Sequence, residues 1–239
     1  MNVVRRREVA RRVFAYEFVR STYRLRPEED KAPVYVLTPL GMRCNRVFVV
    51  GALLDKEEIK PDSGVWRIRV ADPTGAFFGY VGRFQPDALE SLMEIEPPEL
   101  VAIVAKVRVF ERDGRLFTSL RPENLVVVDS ETRDYWIYET AKRTVERIKR
   151  MEEREDEDCK LAWQIYDPDL DEYRRVVKNA LLTLKSEYEV VEEVEELEER
   201  REMEEKEFEK IEEKEEIEDF EEEFEFEEEE WDLSDVLGE

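Results

Sequence analysis

Val65-Trp66-Arg67-Ile68-Arg69-Val70-Ala71-Asp72-Pro73-Thr74-Gly75-Ala76-Phe77-Phe78-Gly79-Tyr80-Val81-Gly82-Arg83-Phe84 reads as a β-hairpin. Asp72 and Pro73 open a turn and Gly75 ends it. The flanks are rich in β-branched and aromatic residues, which suit half-buried strands. Alternation puts Trp66, Ile68 and Val70 on one face and Arg67 and Arg69 on the other. On the second strand Phe78, Tyr80 and Phe84 share one parity, while Phe77 and Phe78 are adjacent and face opposite ways. Arginines beside aromatic rings suit a surface for single-stranded nucleic acid, with rings stacked on bases and guanidinium groups on phosphates.

Outward from the hairpin, residues 31–130 form a series of short strands. Val34–Leu37 is brief and ends at Thr38-Pro39. Val47–Leu54 is apolar with Gly51 inside it, a sign of a bulge or sharp bend. Pro86–Met93 predicts a short helix, with Pro86 in its first turn and Leu89 and Leu92 on one side. Val101, Ile103, Val107 and Val109 alternate with Lys106, Arg108 and Phe110, so the first set faces a core and the second faces outward. Glu111-Arg112-Asp113-Gly114-Arg115 is a turn built on Asp-Gly, and Leu116–Leu120 is the returning strand. A last strand is expected at Leu125–Val128. With the first and last short runs set aside as extensions, the order is three strands, a helix, two strands. That order predicts a mainly β protein with a single OB-fold, a five-stranded Greek-key barrel with a helix between its third and fourth strands.

The flanks are helical in pattern. Residues 1–30 are expected to be an N-terminal helical arm, with one helix over 5–21. It reads either as an amphipathic helix packed on the next domain or as a basic arm touching phosphates. Residues 131–152 predict a second helix, capped by Asp129 or Ser130. Its Tyr138, Ala141, Val145 and Ile148 recur at intervals of three and four, a seam expected to meet partner chains rather than to cover the barrel. Residues 153–185 form a short helical segment, with an acidic break at Glu152–Asp158 and a helix begun by Asp167-Pro168. Residues 186–239 are an acidic, partly helical tail.

The formal net charge is −25. Residues 1–130 carry 21 Lys/Arg and 19 Asp/Glu, whereas residues 186–239 carry 5 and 30. The acidity thus belongs to the tail, and the N-terminal half is free to carry a basic face. With two cysteines and no histidine, a four-ligand zinc site and triad chemistry are not expected. Nothing in the sequence asks for a metal or a cofactor, and no spaced acidic cluster defines an enzyme site. No signal peptide or membrane span is recognised, so a cytoplasmic, nucleoid-associated protein is expected.

The candidate DNA-binding residues are Arg67, Arg69, Phe78, Tyr80, Arg83, Phe84, Lys106, Arg108, Phe110 and Arg121. The aromatics among them serve a core or a subunit interface equally well. Cations grouped on one sheet face repel unless an anion is near, which favours a nucleic-acid role for Arg67, Arg69 and Arg108.

Several ordered motifs carry a resemblance. They are Arg7-Glu8-Val9-Ala10, Arg12-Val13-Phe14-Ala15, Thr38-Pro39-Leu40-Gly41, Asn45-Arg46-Val47-Phe48, Asp72-Pro73-Thr74-Gly75-Ala76-Phe77, Phe84-Gln85-Pro86-Asp87-Ala88-Leu89, Arg121-Pro122-Glu123 and Thr132-Arg133-Asp134. The chain resembles the archaeal replication protein A-associated family, the second, middle-sized subunit of archaeal single-stranded-DNA-binding complexes, from about Arg5 to about Arg150. The resemblance implies an OB-fold, a hetero-oligomer with larger and small replication protein A subunits, and roles in DNA replication, repair and recombination. It also implies that the helix after the barrel joins a helical bundle of subunits. No family motif is recognised beyond Glu152, nor a clear winged-helix domain such as related subunits can have; a polymerase, primase or recombinase stands as a candidate partner of the C-terminal region. Two functions remain: a DNA-binding subunit, or an assembly subunit that contacts DNA little. For the tail, competition with DNA for the basic face, a partner hook at Trp231–Leu237 and a plain solubility role are all open.

Overall fold

The structure, a computed structural model, describes residues 8–25, 34–186 and 188. The chain divides into two units, Met1–Leu184 and Lys185–Glu239. The acidic tail, with the roles expected of it, lies almost wholly outside the described residues.

The expected arm helix over 5–21 is largely absent. The chain enters through a two-residue strand, β1 (Arg11–Arg12), followed by a short helix, α1 (Ala15–Val19). β1 runs parallel to the first barrel strand, with Arg11 opposite Val47 and Arg12 opposite Phe48. The Arg12 guanidinium lies over the Phe48 ring at 5.3 Å. Val13, Phe14, Ala15, Glu17 and Phe18 are all buried, which no single face of a surface helix could achieve. This segment therefore enters the core: Phe18 meets the ring of Phe77 at 5.3 Å, and Phe14 meets Trp136 edge-on at 5.6 Å.

Three strands follow as a small antiparallel sheet, β2 (Tyr23–Leu25), β3 (Tyr35–Leu37) and β4 (Arg43–Cys44), in that order. The turn between β3 and β4 is Thr38-Pro39-Leu40-Gly41. Thr38 closes it, its N–H donating to the Met42 carbonyl at 2.9 Å and its Oγ1 accepting from the Met42 N–H at 3.1 Å. Gly41 has φ +68°, and a Cβ there would meet Cys159 Sγ at 3.1 Å. Both the backbone angle and the space exclude a larger residue.

The barrel consists of β5 (Arg46–Glu58), β6 (Trp66–Asp72), β7 (Gly75–Val81), α2 (Pro86–Glu94), β8 (Glu99–Arg112) and β9 (Arg115–Val127). β5 pairs with β6, β6 with β7 and β8 with β9, all antiparallel. β7 meets β9 in parallel, Gly79 opposite Leu120. β8 returns to β5, which closes the barrel and leaves none of its five strands as an open sheet edge. The expected last strand at Leu125–Val128 is the continuation of β9. Within the barrel β5 must serve two partners, β8 over residues 46–53 and β6 over 52–58. Gly51 stands at that handover, where a Cβ would fall 2.2 Å from the Ala71 carbonyl oxygen. The bulge itself comes slightly later, between Leu53 and Asp55.

Strand parity is as expected. Ile68, Val70, Phe77, Val81, Val101, Ile103 and Leu120 are buried in one core, together with Ala88 and Leu92 of α2. Each of these side chains larger than alanine contributes about 1.5–3 kcal/mol. Lys56 ends α2, its Nζ donating to the carbonyls of Leu92 and Met93 and pairing with Glu96 at 3.1 Å. A cation there offsets the partial negative charge of the helix end.

Two further helices are α3 (Ser130–Glu153) and α4 (Glu157–Tyr166), and a fifth, α5, runs over 170–186. Asp129 caps α3, its carboxylate accepting from the Thr132 N–H at 2.8 Å. α4 lies within the expected helical segment 153–185, begins inside the expected acidic break and precedes the helix expected from Asp167-Pro168. Asp156 caps it, accepting from the Cys159 N–H at 2.8 Å. The Tyr166 hydroxyl anchors its end, accepting from the Thr22 and Tyr23 N–H groups and donating to the Leu37 carbonyl. Asp167, expected to cap the last helix, instead ends α4 in the left-handed region at φ 41°. Asp169 caps α5, accepting from the N–H groups of Asp171 and Glu172.

The α3 seam is divided. Trp136, Ile137, Thr140, Ala141, Thr144, Arg147, Ile148 and Met151 are buried, within an arc of about 140° at 100° per residue. Ala141 and Ile148 thus pack within this chain, contrary to their expected role between subunits. Tyr138 and Val145, just beyond the arc, are 56% and 40% exposed. Trp136 fixes α3 to the barrel, its indole N–H donating to the Phe48 carbonyl at 3.0 Å. Arg147 reaches Glu17 of α1 in a buried ion pair at 2.7 Å. Among the described residues, no helix is long and apolar enough to cross a membrane.

Candidate nucleic-acid interface

The hairpin β6–β7 presents two cross-strand pairs on its outer face, Arg67 opposite Tyr80 and Arg69 opposite Phe78. Its turn is held by Asp72. One carboxylate oxygen accepts from the Thr74 N–H and hydroxyl, both at 2.7 Å, and the other accepts from the Ala15 N–H at 2.7 Å. Burial raises the Asp72 pKa to about 6, against the pull of those hydrogen bonds. The turn that shapes the hairpin is thereby also the dock of α1.

β8 and β9 add a second outward set. Lys106 lies opposite Arg121, Arg108 opposite Ser119 and Phe110 opposite Phe117. The Phe110 and Phe117 rings stack at 5.7 Å, and Tyr80 meets Phe110 edge-on at 6.0 Å. Three aromatic rings therefore run continuously from the hairpin to the neighbouring strands.

Beside Tyr80 opens a groove of about 590 Å³, with Ser63 and Val65 on one side, the Gly82–Gln85 turn on another, and Arg108, Ser119 and Arg121 from β8 and β9. Arg83 and Phe84 form an exposed lip, the Arg83 guanidinium lying over the Phe84 ring at 4.9 Å. Phe84 itself is 72% exposed. Among the described residues, no Asp or Glu lines the groove. Arg83, Arg108 and Arg121 pair with no carboxylate among the described residues.

The ten candidate residues separate into groups. Tyr80, Arg83, Phe84, Arg108 and Arg121 share the groove, and Phe110 adjoins it through Tyr80. Arg69 and Phe78 stand further along the same outer face, Phe78 42% exposed. Arg67 is held by Glu57 of the adjacent strand at 2.8 Å. The anion that relieves the crowded cations is thus partly internal. Lys106 lies 3.8 Å from Glu123, which also pairs with Arg46. Phe117 was not among the candidates, although the sequence holds its signal. The two-residue turn Asp113-Gly114, with φ 52° and 73°, puts Arg112 opposite Arg115 and therefore Phe110 opposite Phe117. Gln85, Ser63 and Ser119 had no such signal, because only barrel closure brings them to the groove.

Barrel closure through a parallel third-to-fifth strand contact, with a helix between the third and fourth strands, defines this protein as an OB-fold protein. A chain of the S. pombe Stn1-ten1 complex is similar over 62% of this chain and 100% of its own, at 10% identity and a TM-score of 0.50. A chain of a replication protein A heterotrimer bound to ssDNA is similar over 59% of this chain and 98% of its own, at 15% identity and a TM-score of 0.42. The second single-stranded-DNA-binding protein of Mycobacterium smegmatis covers 35% of this chain and 86% of its own, at 13% identity and a TM-score of 0.30. At such identities the likeness extends to the fold alone. No family model and no curated protein sequence matches the chain.

Proposed function

We propose that this protein is a single-stranded-DNA-binding subunit of a replication protein A-type complex, acting in DNA replication, repair and recombination near the nucleoid and without enzymatic activity. The observation that carries the reading is the groove where Arg83, Arg108 and Arg121 join Tyr80 and Phe84 and where, among the described residues, no carboxylate is present. Rings there offer stacking to bases of any kind, and the arginines offer charge to the phosphate track. The resemblance motifs support the subunit role, and they fall at structurally demanding points. Asp72-Pro73-Thr74-Gly75 docks α1, Thr38-Pro39-Leu40-Gly41 packs under α4, and Arg46 pairs with Glu123. A second role, in assembly, is supported by the exposed Tyr135, Tyr138 and Val145 on α3.

The test is fluorescence anisotropy of the full chain with a labelled single strand of about 12 nucleotides, within the span of one OB-fold. Tyr80→Ala is expected to weaken binding by roughly 5- to 150-fold, the equivalent of about 1–3 kcal/mol per stacked base. Changing Arg83, Arg108 and Arg121 together to Gln is expected to flatten the salt slope by about 2, at about 0.7 per single-strand phosphate contact. Unchanged affinity and slope in both variants would leave the assembly role as the better reading. In that role Val145→Asp dissociates the complex, as read by light scattering.

A further inference from the structure

We propose that Gln85 is a positioning residue of the interface, which fixes the Arg83–Phe84 lip beside the groove; this rests on the single-strand reading above. Gln85 joins β7 to α2 and stands directly before Pro86, the first residue of that helix. A residue in this place ordinarily turns its side chain forward, where the short side chain of Ser, Thr, Asp or Asn accepts from the first free N–H groups of the helix. Gln is not one of those residues, and the Gln85 side chain makes no capping bond to α2. It turns back instead, its Oε1 accepting from the Gly82 N–H at 3.2 Å. The Gln85 backbone N–H donates to the Gly82 carbonyl at 2.8 Å. One residue therefore closes the turn Gly82–Gln85 twice, once through its main chain and once through its side chain.

Both ends of that turn are anchored in the barrel. Val81 before it is buried, as are Ala88 and Leu92 on α2. The Gln85 carbonyl also accepts from the Leu89 N–H at 2.9 Å, which starts the helix. Arg83 and Phe84, the two residues between the closures, are exposed, and they touch chiefly each other, guanidinium over ring at 4.9 Å. With so little of Phe84 buried, packing does not hold the lip, and its geometry depends on the turn that carries it. Gly82 is itself buried. Loss of the Gln85 oxygen leaves the Gly82 N–H unpaired unless the turn opens to water, and an open turn displaces Arg83 and Phe84. Both side chains must then be ordered at the moment of binding, which weakens affinity although Gln85 need touch no nucleotide.

The test is a double-mutant cycle in the full chain, read by anisotropy with a labelled single strand of about 12 nucleotides at a temperature where calorimetry shows every variant folded. Gln85→Met keeps the length of the side chain and removes its acceptor. It is expected to weaken binding at least about five-fold, the lower bound for ordering two side chains. A merely structural residue would lower Tm and leave the affinity of the folded protein unchanged. Arg83→Ala with Phe84→Ala strips the lip and is expected to weaken binding by itself. In that background Gln85→Met should change affinity by less than about two-fold, the scatter between independent changes. A smaller loss in Gln85→Met, a loss that persists in full once the lip is stripped, a stripped lip that costs no affinity, or a Gln85→Met chain that is unfolded at every usable temperature overturns the inference. The single-strand reading then still stands, provided that wild type binds and Tyr80→Ala weakens it. Failure of the wild-type chain to bind removes both.

Discussion

Arg147→Met tests the tie between the two ends of the folded unit. Glu17 on α1 is 1% exposed and Arg147 on α3 is 6% exposed. Their contact is 2.7 Å, and the same Arg147 nitrogen donates to Thr144 Oγ1 at 2.9 Å. Glu17 Oε1 and Arg147 Nε have no hydrogen-bond partner, so the pair is not fully compensated for its lost water. Removing Arg147 leaves a buried carboxylate with no counter-charge, at a cost of about 3–5 kcal/mol. For a unit of this size each kcal/mol lowers Tm by about 2–4 °C, so a fall of roughly 6–20 °C is expected. Glu17→Leu with Arg147→Met removes both charges, and replacing such a pair by apolar groups is often neutral or stabilising. The double variant should therefore recover most of the loss. Urea unfolding followed by the fluorescence of buried Trp136, with calorimetry for Tm, measures both effects. A single-variant loss under about 1 kcal/mol, or a double variant equal to the sum of the singles, refutes the argument.

Gly51→Ala forces a Cβ against the Ala71 carbonyl and is expected to cost at least about 2 kcal/mol in urea unfolding; a loss within experimental error counts against the proposed handover in β5. Asp72 carries a pH signature. Its folded pKa, about 6, lies above the ordinary 3.8, so the folded state holds the proton more tightly. The resulting stability is complete below about pH 4 and is lost as pH rises through 6, with a ceiling of about 3 kcal/mol. Wild type should therefore gain on Asp72→Asn as pH falls through that window, and a flat difference would show the carboxyl to be solvated. Burial pushes the Cys44 thiol up to about 12, and Cys159 is buried and raised as well. Neither should react with a thiol reagent until the chain unfolds; rapid labelling of the native protein would contradict that packing.

Much of this protein is legible residue by residue. In a strand the side chain's face follows from parity, which sets Arg67 and Arg69 outward and Ile68 and Val70 inward. Adjacent Phe77 and Phe78 leave the next strand ambiguous in the sequence, and only the pairing of Arg67 with Tyr80 and Arg69 with Phe78 settles it. The order of strands and helix was enough to indicate the barrel, because few small folds place a helix at that connection. On α3 the pattern misled, since four apolar residues at heptad spacing straddle the edge of the buried arc. α1 misled too, because burial on every side of a short segment leaves no amphipathic stripe to read.

Tertiary structure alone decided which outward residues act together. Parallel contact of β7 with β9 brings Tyr80 beside Phe110 and gathers Arg83, Arg108 and Arg121 into one groove. It also decided which cations are spent, since Glu57 and Glu123 reach Arg67 and Lys106 across neighbouring strands. The physical reason is that a side chain's orientation is set locally by its own backbone. The electrostatic worth of a charge is set by whatever other segments the barrel brings within a few ångströms of it.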